Sequence, residues 1–303
     1  MKCAVYQETH VGKRPSNQDR LGHWRTPEAL LLVVADGMGG HAHGEVAAEL
    51  AMRYLAAAFR REAQPRLADP DLFLFRAVGR SHGMLLREAG ALGLADTPRT
   101  TVVACVVQEG RAYWTHVGDS RLYLVRKGQV LVRTRDHTFV QQLVDEGRIR
   151  DADAGTHPER NRLLQCLGGS QTPRISPTAH ARLERDDIVL LCTDGFWGPL
   201  SERQIIAGLE SGPLAQAVAR LSSLAQERAG PDCDNVSALG LAWGEDAVPF
   251  KDKDEPRTLP LAEMSTEVQD FGATDPDFLR MSDADIERAI AEIKHALKKH
   301  GPR

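Results

Sequence analysis

Asp36 and Asp194 each close an apolar run and are each followed by glycine, in VVADG (33–37) and LLCTDG (190–195), and Asp234 stands just ahead of a further run. A carboxylate beside a glycine at the rim of a sheet offers two oxygen donors together, the side chain and an unshielded backbone carbonyl, here that of Gly37. Asp119 follows Gly118 at another strand end, and Asp19 closes the polar loop 12–19. If these strand ends converge, their charges repel and are tolerated only with cations between them. Carboxylate, carbonyl and water donors suit Mg2+ or Mn2+ rather than zinc, since His41 and His43 have no Cys or third His at zinc-site spacing. Two such ions about 4 Å apart polarise a bridging water into a nucleophile and neutralise a phosphate under attack. Arg14 would grip the remaining phosphate oxygens with its two-pronged guanidinium, and His41 near the rim would protonate a serine or threonine leaving oxygen.

Each piece also has a plainer reading. Asp-Gly after an apolar run is ordinary turn chemistry, and Arg14 with Asp19 would make a surface ion pair. A nucleotide cradle over 37–44 is the weaker alternative, because the glycines are not spaced G-x-G-x-x-G and Asp36 stands where diphosphate charge would approach.

The elements that must position these residues follow from periodicity. The run 30–35, with β-branched Val33 and Val34, reads as a strand buried on both faces. Val46, Leu50, Tyr54 and Ala57 recur at helical spacing over 45–60, and Leu72, Phe75, Val78, His82 and Leu85 do so over 71–87, with His82 read as a packed side chain. Residues 101–107, 111–117, 121–125 and 129–132 alternate as short strands in antiparallel hairpins, and 187–193 and 236–243 supply two more. Between 136 and 169 a short amphipathic helix over 139–146 precedes a charged segment, long enough to form a flap over a site.

Of the 303 residues, 42% are hydrophobic and 26% charged, as in a soluble globular protein. A net charge of −4, with Lys and Arg dispersed, gives no nucleic-acid footprint. The first residues contain no apolar leader core and no run approaches the roughly 18 apolar residues of a membrane span, so a cytoplasmic location without a membrane span is expected. Five cysteines at irregular spacing argue against a disulfide framework, and Cys105 and Cys192 lie inside apolar runs. Residues 1–244 read as one domain, 245–281 as a charged linker and 282–303 as a C-terminal amphipathic helix. In that helix Ser282 and Asp285 resemble a capping box, and Ile286, Ile290, Ile293 and Leu297 form a stripe that docks on the domain or on a partner.

Taken together, RPSNQD (14–19), VADGMGGH (34–41), GDSR (118–121), CTDGFW (192–197) and DNVS (234–237) resemble, in order and spacing, the PPM family of metal-dependent, phosphatase-2C-like serine/threonine phosphatases in its compact bacterial form. The resemblance implies an α+β fold, a four-layer αββα sandwich with two central antiparallel β-sheets and the metal site between them. It implies that Asp36 bridges two Mn2+ or Mg2+ ions, that Gly37 donates its carbonyl, and that Asp194 and Asp234 complete the first ion's shell. Asp119 would help hold a third ion, Asp19 would lie near the metal waters, and Arg14 would contact substrate phosphate. Residues 136–169 fall where the family has its flap, which bears on substrate choice. The implied substrates are phosphorylated proteins, and the implied counterpart is a bacterial Ser/Thr kinase acting on the same proteins. Two departures stand out: Met38 where animal members carry a histidine, which passes the acid role to His41 or to metal-bound water, and Gln18 where many members have glutamate. The rival from another class is a catalytically inactive phosphoprotein-binding module of the same fold, and a dinucleotide-dependent enzyme is a distant third.

Overall fold

In the computed structural model, residues 2–38, 44–92 and 97–244 are described, and the fold is given for these; His41 and the expected helix at 282–303 lie outside them. Two five-stranded antiparallel sheets face each other. One is ordered β1 (Cys3–His10), β10 (Val236–Trp243), β9 (Ile188–Cys192), β6 (Arg121–Arg126), β7 (Gln129–Arg133), and the other β2 (Asp19–Arg25), β3 (Ala29–Asp36), β4 (Val102–Gln108), β5 (Arg111–Val117), β8 (Ala179–Arg182). The long helices α1 (Gly44–Glu62) and α2 (Pro70–Leu92) cover the second sheet, while α5 (Asp194–Trp197), α6 (Glu202–Leu209) and α7 (Leu214–Ala229) cover the first. The short helices α3 (Phe139–Asp145) and α4 (Asp151–Ala154) lie in the segment after β7. This is the four-layer α+β sandwich the motifs imply.

β3 shows why the apolar run has no polar residue. Leu31, Val33 and Ala35 pack under α1 and α2, whereas Leu30, Leu32 and Val34 enter the layer between the sheets, so both faces are buried. Each fully buried Leu or Val contributes about 2 kcal/mol. Burial ends at Asp36, the first residue of the strand that reaches the rim.

The hairpins form where alternation places them. Glu109-Gly110 and Lys127-Gly128 all take positive φ, between 49° and 70°, the two-residue turn whose twist suits antiparallel strands. β5 and β6 nevertheless belong to different sheets, so the Gly118-Asp119-Ser120 link crosses the layer between them. β1, β2, β8 and the helices α4 to α7 carry no clear sequence signal. β2 contains Arg20, which is buried and paired with buried Glu49 of α1 at 2.9 Å. That charge is tolerated because its partner arrives from 29 residues away and the carbonyls of Asn17 and Asp19 accept from the same guanidinium at 2.9 and 2.7 Å.

The charged segment expected as a flap is anchored at both ends. Asp136 accepts two hydrogen bonds from Arg121, at 2.8 and 2.7 Å, and Leu167 is fully buried, exchanging backbone hydrogen bonds with Thr100 at 2.8 and 3.2 Å. His82 is a packed side chain whose Nδ1 accepts from the Gly168 N–H at 3.2 Å. All five cysteines are free. Among the described residues, no helix is long and apolar enough to cross a membrane.

Candidate metal centre

The β2–β3 register sets Asp19 directly opposite Asp36. Thr100 and Thr101 hold the Asp36 backbone: the Thr101 N–H and the Thr100 hydroxyl both donate to its carbonyl at 2.8 Å, and its N–H donates to the Thr101 hydroxyl at 3.1 Å. With its main chain satisfied, the Asp36 carboxylate is left for other work. Gly37 follows in a slot that excludes a side chain, since a Cβ there would lie 2.3 Å from the Gly44 carbonyl oxygen. Thr101 also reaches Ser120, 2.7 Å between hydroxyl oxygens, which ties the Asp119 turn to the same corner.

The Asp194-Gly195 and Asp234-Asn235 pairs press together backbone to backbone. A Cβ on Gly195 would sit 2.0 Å from the Asn235 carbonyl oxygen, so only glycine lets the two aspartates approach. The Asn235 side chain then fastens the loop that carries Arg14. Its Nδ2 donates to the carbonyls of Val11 and Ser16 at 2.8 and 3.0 Å, and its Oδ1 accepts from the Gln18 N–H at 2.8 Å. So held, Arg14 donates from Nε and Nη2 to the two oxygens of Asp234, at 2.9 and 2.7 Å.

Asp19 sits in a ring of hydroxyls. The Thr193 hydroxyl donates to its Oδ2 at 2.9 Å, and the Ser237 side chain also bonds its carboxylate. Ser237 lies 2.7 Å from the Thr9 hydroxyl, Asn17 Nδ2 donates to Thr9 at 2.8 Å, and Asn17 Oδ1 accepts the Asp19 N–H at 3.0 Å. On the far side, Trp197 donates its indole N–H to the Asp119 carbonyl at 3.0 Å, while the Arg121 guanidinium lies 3.3 Å over the Trp197 ring.

The electrostatics record how close these acids are. Burial holds the Asp36 carboxyl well above the usual carboxylate range, and the charges of Asp19, Asp194, Asp119 and Asp234 push it further. Burial raises Asp19 to about 7 against the opposing hydroxyl donors Ser237 and Thr193, with Asp194 and Asp234 adding to the rise. Asp119 is raised by burial and then by Asp194, and Asp194 by burial and then by Asp234. Carboxylates that resist ionising beside one another, with donors that are all oxygen, fit hard divalent cations. Among the described residues no three His, Cys, Asp or Glu side chains are already arranged as a finished cage. The fit therefore rests on the shared field and on the donor chemistry.

Thus Arg14, Asp19, Asp36, Asp119, Asp194 and Asp234 share one corner between the sheets, with Gly37 beside them, while His41 lies outside the described residues. The residues that hold this corner were not singled out by sequence reasoning: Thr9, Asn17, Thr101, Thr193, Asn235 and Ser237. Four of them stand inside the quoted motifs, one to three positions from a candidate aspartate. Asn17, Thr193, Asn235 and Ser237 were therefore discoverable as short polar side chains beside carboxylates.

Comparisons with known proteins show the family and the fold. A serine/threonine protein phosphatase PstP of Mycobacterium tuberculosis is 37% identical over 212 residues, 70% of this chain and 40% of its own length. A putative protein phosphatase 2C-type of Streptococcus pyogenes is 32% identical over 207 residues, 67% of this chain and 83% of its own. This chain thus spans about two fifths of the mycobacterial relatives. The crystal structure of the M. tuberculosis phosphatase superposes with a TM-score of 0.71 at 32% identity, covering 80% of this chain and 99% of that one. A PstP catalytic domain in complex with two manganese ions superposes with a TM-score of 0.66 at 31% identity, covering 80% and 98%. The protein phosphatase 2C family model matches residues 6–232, and the chain belongs to that family.

Proposed function

We propose that this chain is a metal-dependent protein serine/threonine phosphatase that hydrolyses phosphoserine and phosphothreonine at a centre of two Mn2+ or Mg2+ ions, with a third at Asp119. The observation that carries the reading is the meeting of five aspartates from five strand ends in one mutually repelling cluster beside the guanidinium of Arg14. Family membership and the manganese-bound catalytic domain of a relative support it.

Asp36, the Gly37 carbonyl, Asp194 and Asp234 would hold the ions, with Asp119 at a further one and Asp19 near their waters. When bound, the ions supply a water that ionises near neutral pH and charge neutralisation for the phosphate. Arg14 binds and orients phosphate oxygens through its planar fork. Asn235 fixes the Arg14 loop against the Asp234 turn, so phosphate and cations meet in one register. The hydroxyls of Thr193 and Ser237 favour the ionised form of Asp19. His41 is the side chain assigned to protonate the leaving oxygen.

In this reading, residues 1–244 form the phosphatase domain, 245–281 the linker and 282–303 a helix that docks on the domain or on a partner. Phosphorylated cytoplasmic proteins are the substrates, and a Ser/Thr kinase acting on them is the counterpart. The test is hydrolysis of a phosphothreonine peptide with Mn2+, with EDTA, and by Asp36→Asn with Mn2+. Turnover that needs metal and collapses in the variant is expected. A folded, Mn2+-bound chain without turnover would instead make it a phosphoprotein-binding module.

A further inference from the structure

Arg14 is the residue assigned to phosphate, yet both prongs of its guanidinium are spent on Asp234, an assigned metal ligand 220 residues away, at 2.9 and 2.7 Å. Neither oxygen of that carboxylate is idle, because Oδ1 also accepts the Asn235 N–H at 2.8 Å. Asp194 and Asp36 add their charges to the field on Arg14, so the guanidinium stands in as a cation among the clustered acids.

We infer that Arg14 is a latch: its fork competes with a divalent cation for Asp234, and metal loading frees the fork to take substrate phosphate. The latch rests on the metal-dependent reading proposed above. Three observations support it. The pairing is two-pronged, so a cation that takes the Asp234 oxygens as ligands must break one or both bonds. The pair is accessible, with Arg14 51% and Asp234 40% exposed, so breaking it exposes no buried charge and exchange is cheap. The loop that carries Arg14 is pinned by Asn235 to the Asp234 turn, so the freed fork stays at the site. Metal and phosphate then bind in order, cation first.

The test measures metal binding rather than turnover: Mn2+ titrated by calorimetry into the metal-stripped full chain, its Arg14→Lys variant and its Arg14→Gln variant. Lysine keeps the positive charge and loses the planar fork, which separates the latch from a general field effect. An exposed pair of this kind is worth up to about 1 kcal/mol, so Mn2+ should bind Arg14→Lys up to about fivefold more tightly than the parent. Arg14→Gln should bind more tightly still, because the repelling charge has gone as well. In a parallel Mg2+ titration followed by NMR, the Arg14 Nε–Hε signal, identified by its loss in Arg14→Lys, should move as metal saturates. A parent-like Mn2+ constant in Arg14→Lys, or an Arg14 signal unmoved by saturating Mg2+, would overturn the latch while leaving the metal centre intact. A parent chain that binds no Mn2+ would remove the metal centre itself, and the latch with it.

Discussion

Asp19 and Asp36 are cross-strand partners, two carboxylates facing each other at the ends of β2 and β3 with the charges of Asp194 and Asp234 close to both. Neighbouring strands bring such partners about 5 Å apart, where like charges directly opposite are destabilising. In the reading proposed above, the fold carries this cost at the corner where divalent cations would relieve it.

Stability of the metal-stripped protein should therefore depend on pH in a defined direction. Asp19 ionises near 3.8 in an unfolded chain and at about 7 in the folded one. Between those values the folded state binds the extra proton, so stability is greatest near the lower value and falls as pH rises through about 7. Thermal unfolding in EDTA from pH 5 to 8 should show a falling Tm, saturating Mn2+ should raise Tm most at pH 8, and Asp19→Asn should flatten the slope. A Tm in EDTA that climbs over this window would contradict the account.

Asp36→Asn should separate stability from activity. Removing the most repelled charge in the cluster is expected to stabilise the metal-stripped fold by about 1 kcal/mol. Phosphopeptide hydrolysis should fall by more than about 100-fold, beyond what loss of a supporting residue does. Denaturant unfolding in EDTA checks the first expectation and turnover with Mn2+ the second. Equal activity in variant and parent would remove Asp36 from the centre.

Thr193 and Ser237 are positioning residues for Asp19, and their loss should register in metal affinity. Thr193→Val keeps the shape and removes the donor, leaving Asp19 with one hydroxyl fewer. Mn2+ affinity should drop by about tenfold, with a stability loss near 1 kcal/mol, and Thr193→Ser should restore both. Calorimetric Mn2+ titration of the three proteins is the measurement. An unchanged constant in Thr193→Val would mean the hydroxyl serves only structure, as the acceptor of the Ser237 N–H at 3.2 Å.

Gly195→Ala tests the backbone contact that lets Asp194 and Asp234 approach. The added methyl would meet the Asn235 carbonyl oxygen at 2.0 Å, closer than any real contact, so the turn must shift. A destabilisation of about 2–3 kcal/mol is expected, with a larger fractional loss in Mn2+ binding than in far-UV circular dichroism. Gly147→Ala is a suitable contrast, since no atom lies within 4 Å of its added carbon and its cost is confined to a φ of +68°.

Much of this protein is determined by short-range order in its sequence. The apolar stretch that becomes β3, the helical spacing of α1 and α2, and the Lys127-Gly128 turn were each legible within about ten residues, because side-chain period and turn chemistry act locally. The aspartates of five motifs were legible too: Asp36, Asp119 and Asp194 sit where a strand pattern stops, Asp234 just ahead of one, and Asp19 at the close of a polar loop. Tertiary structure decided the rest. Nothing local to Arg20 signals that Glu49 will pair with it in the buried layer, and β8 is too short and polar to announce itself before it pairs with β5. Arg14 reads as free for phosphate until the fold closes 220 residues of chain and brings Asp234 against it. Local pattern settles which residues can form a strand or ionise at its end. Only sheet register and the packing of one turn against another settle which charges meet, because electrostatic energy depends on distance in space rather than along the chain.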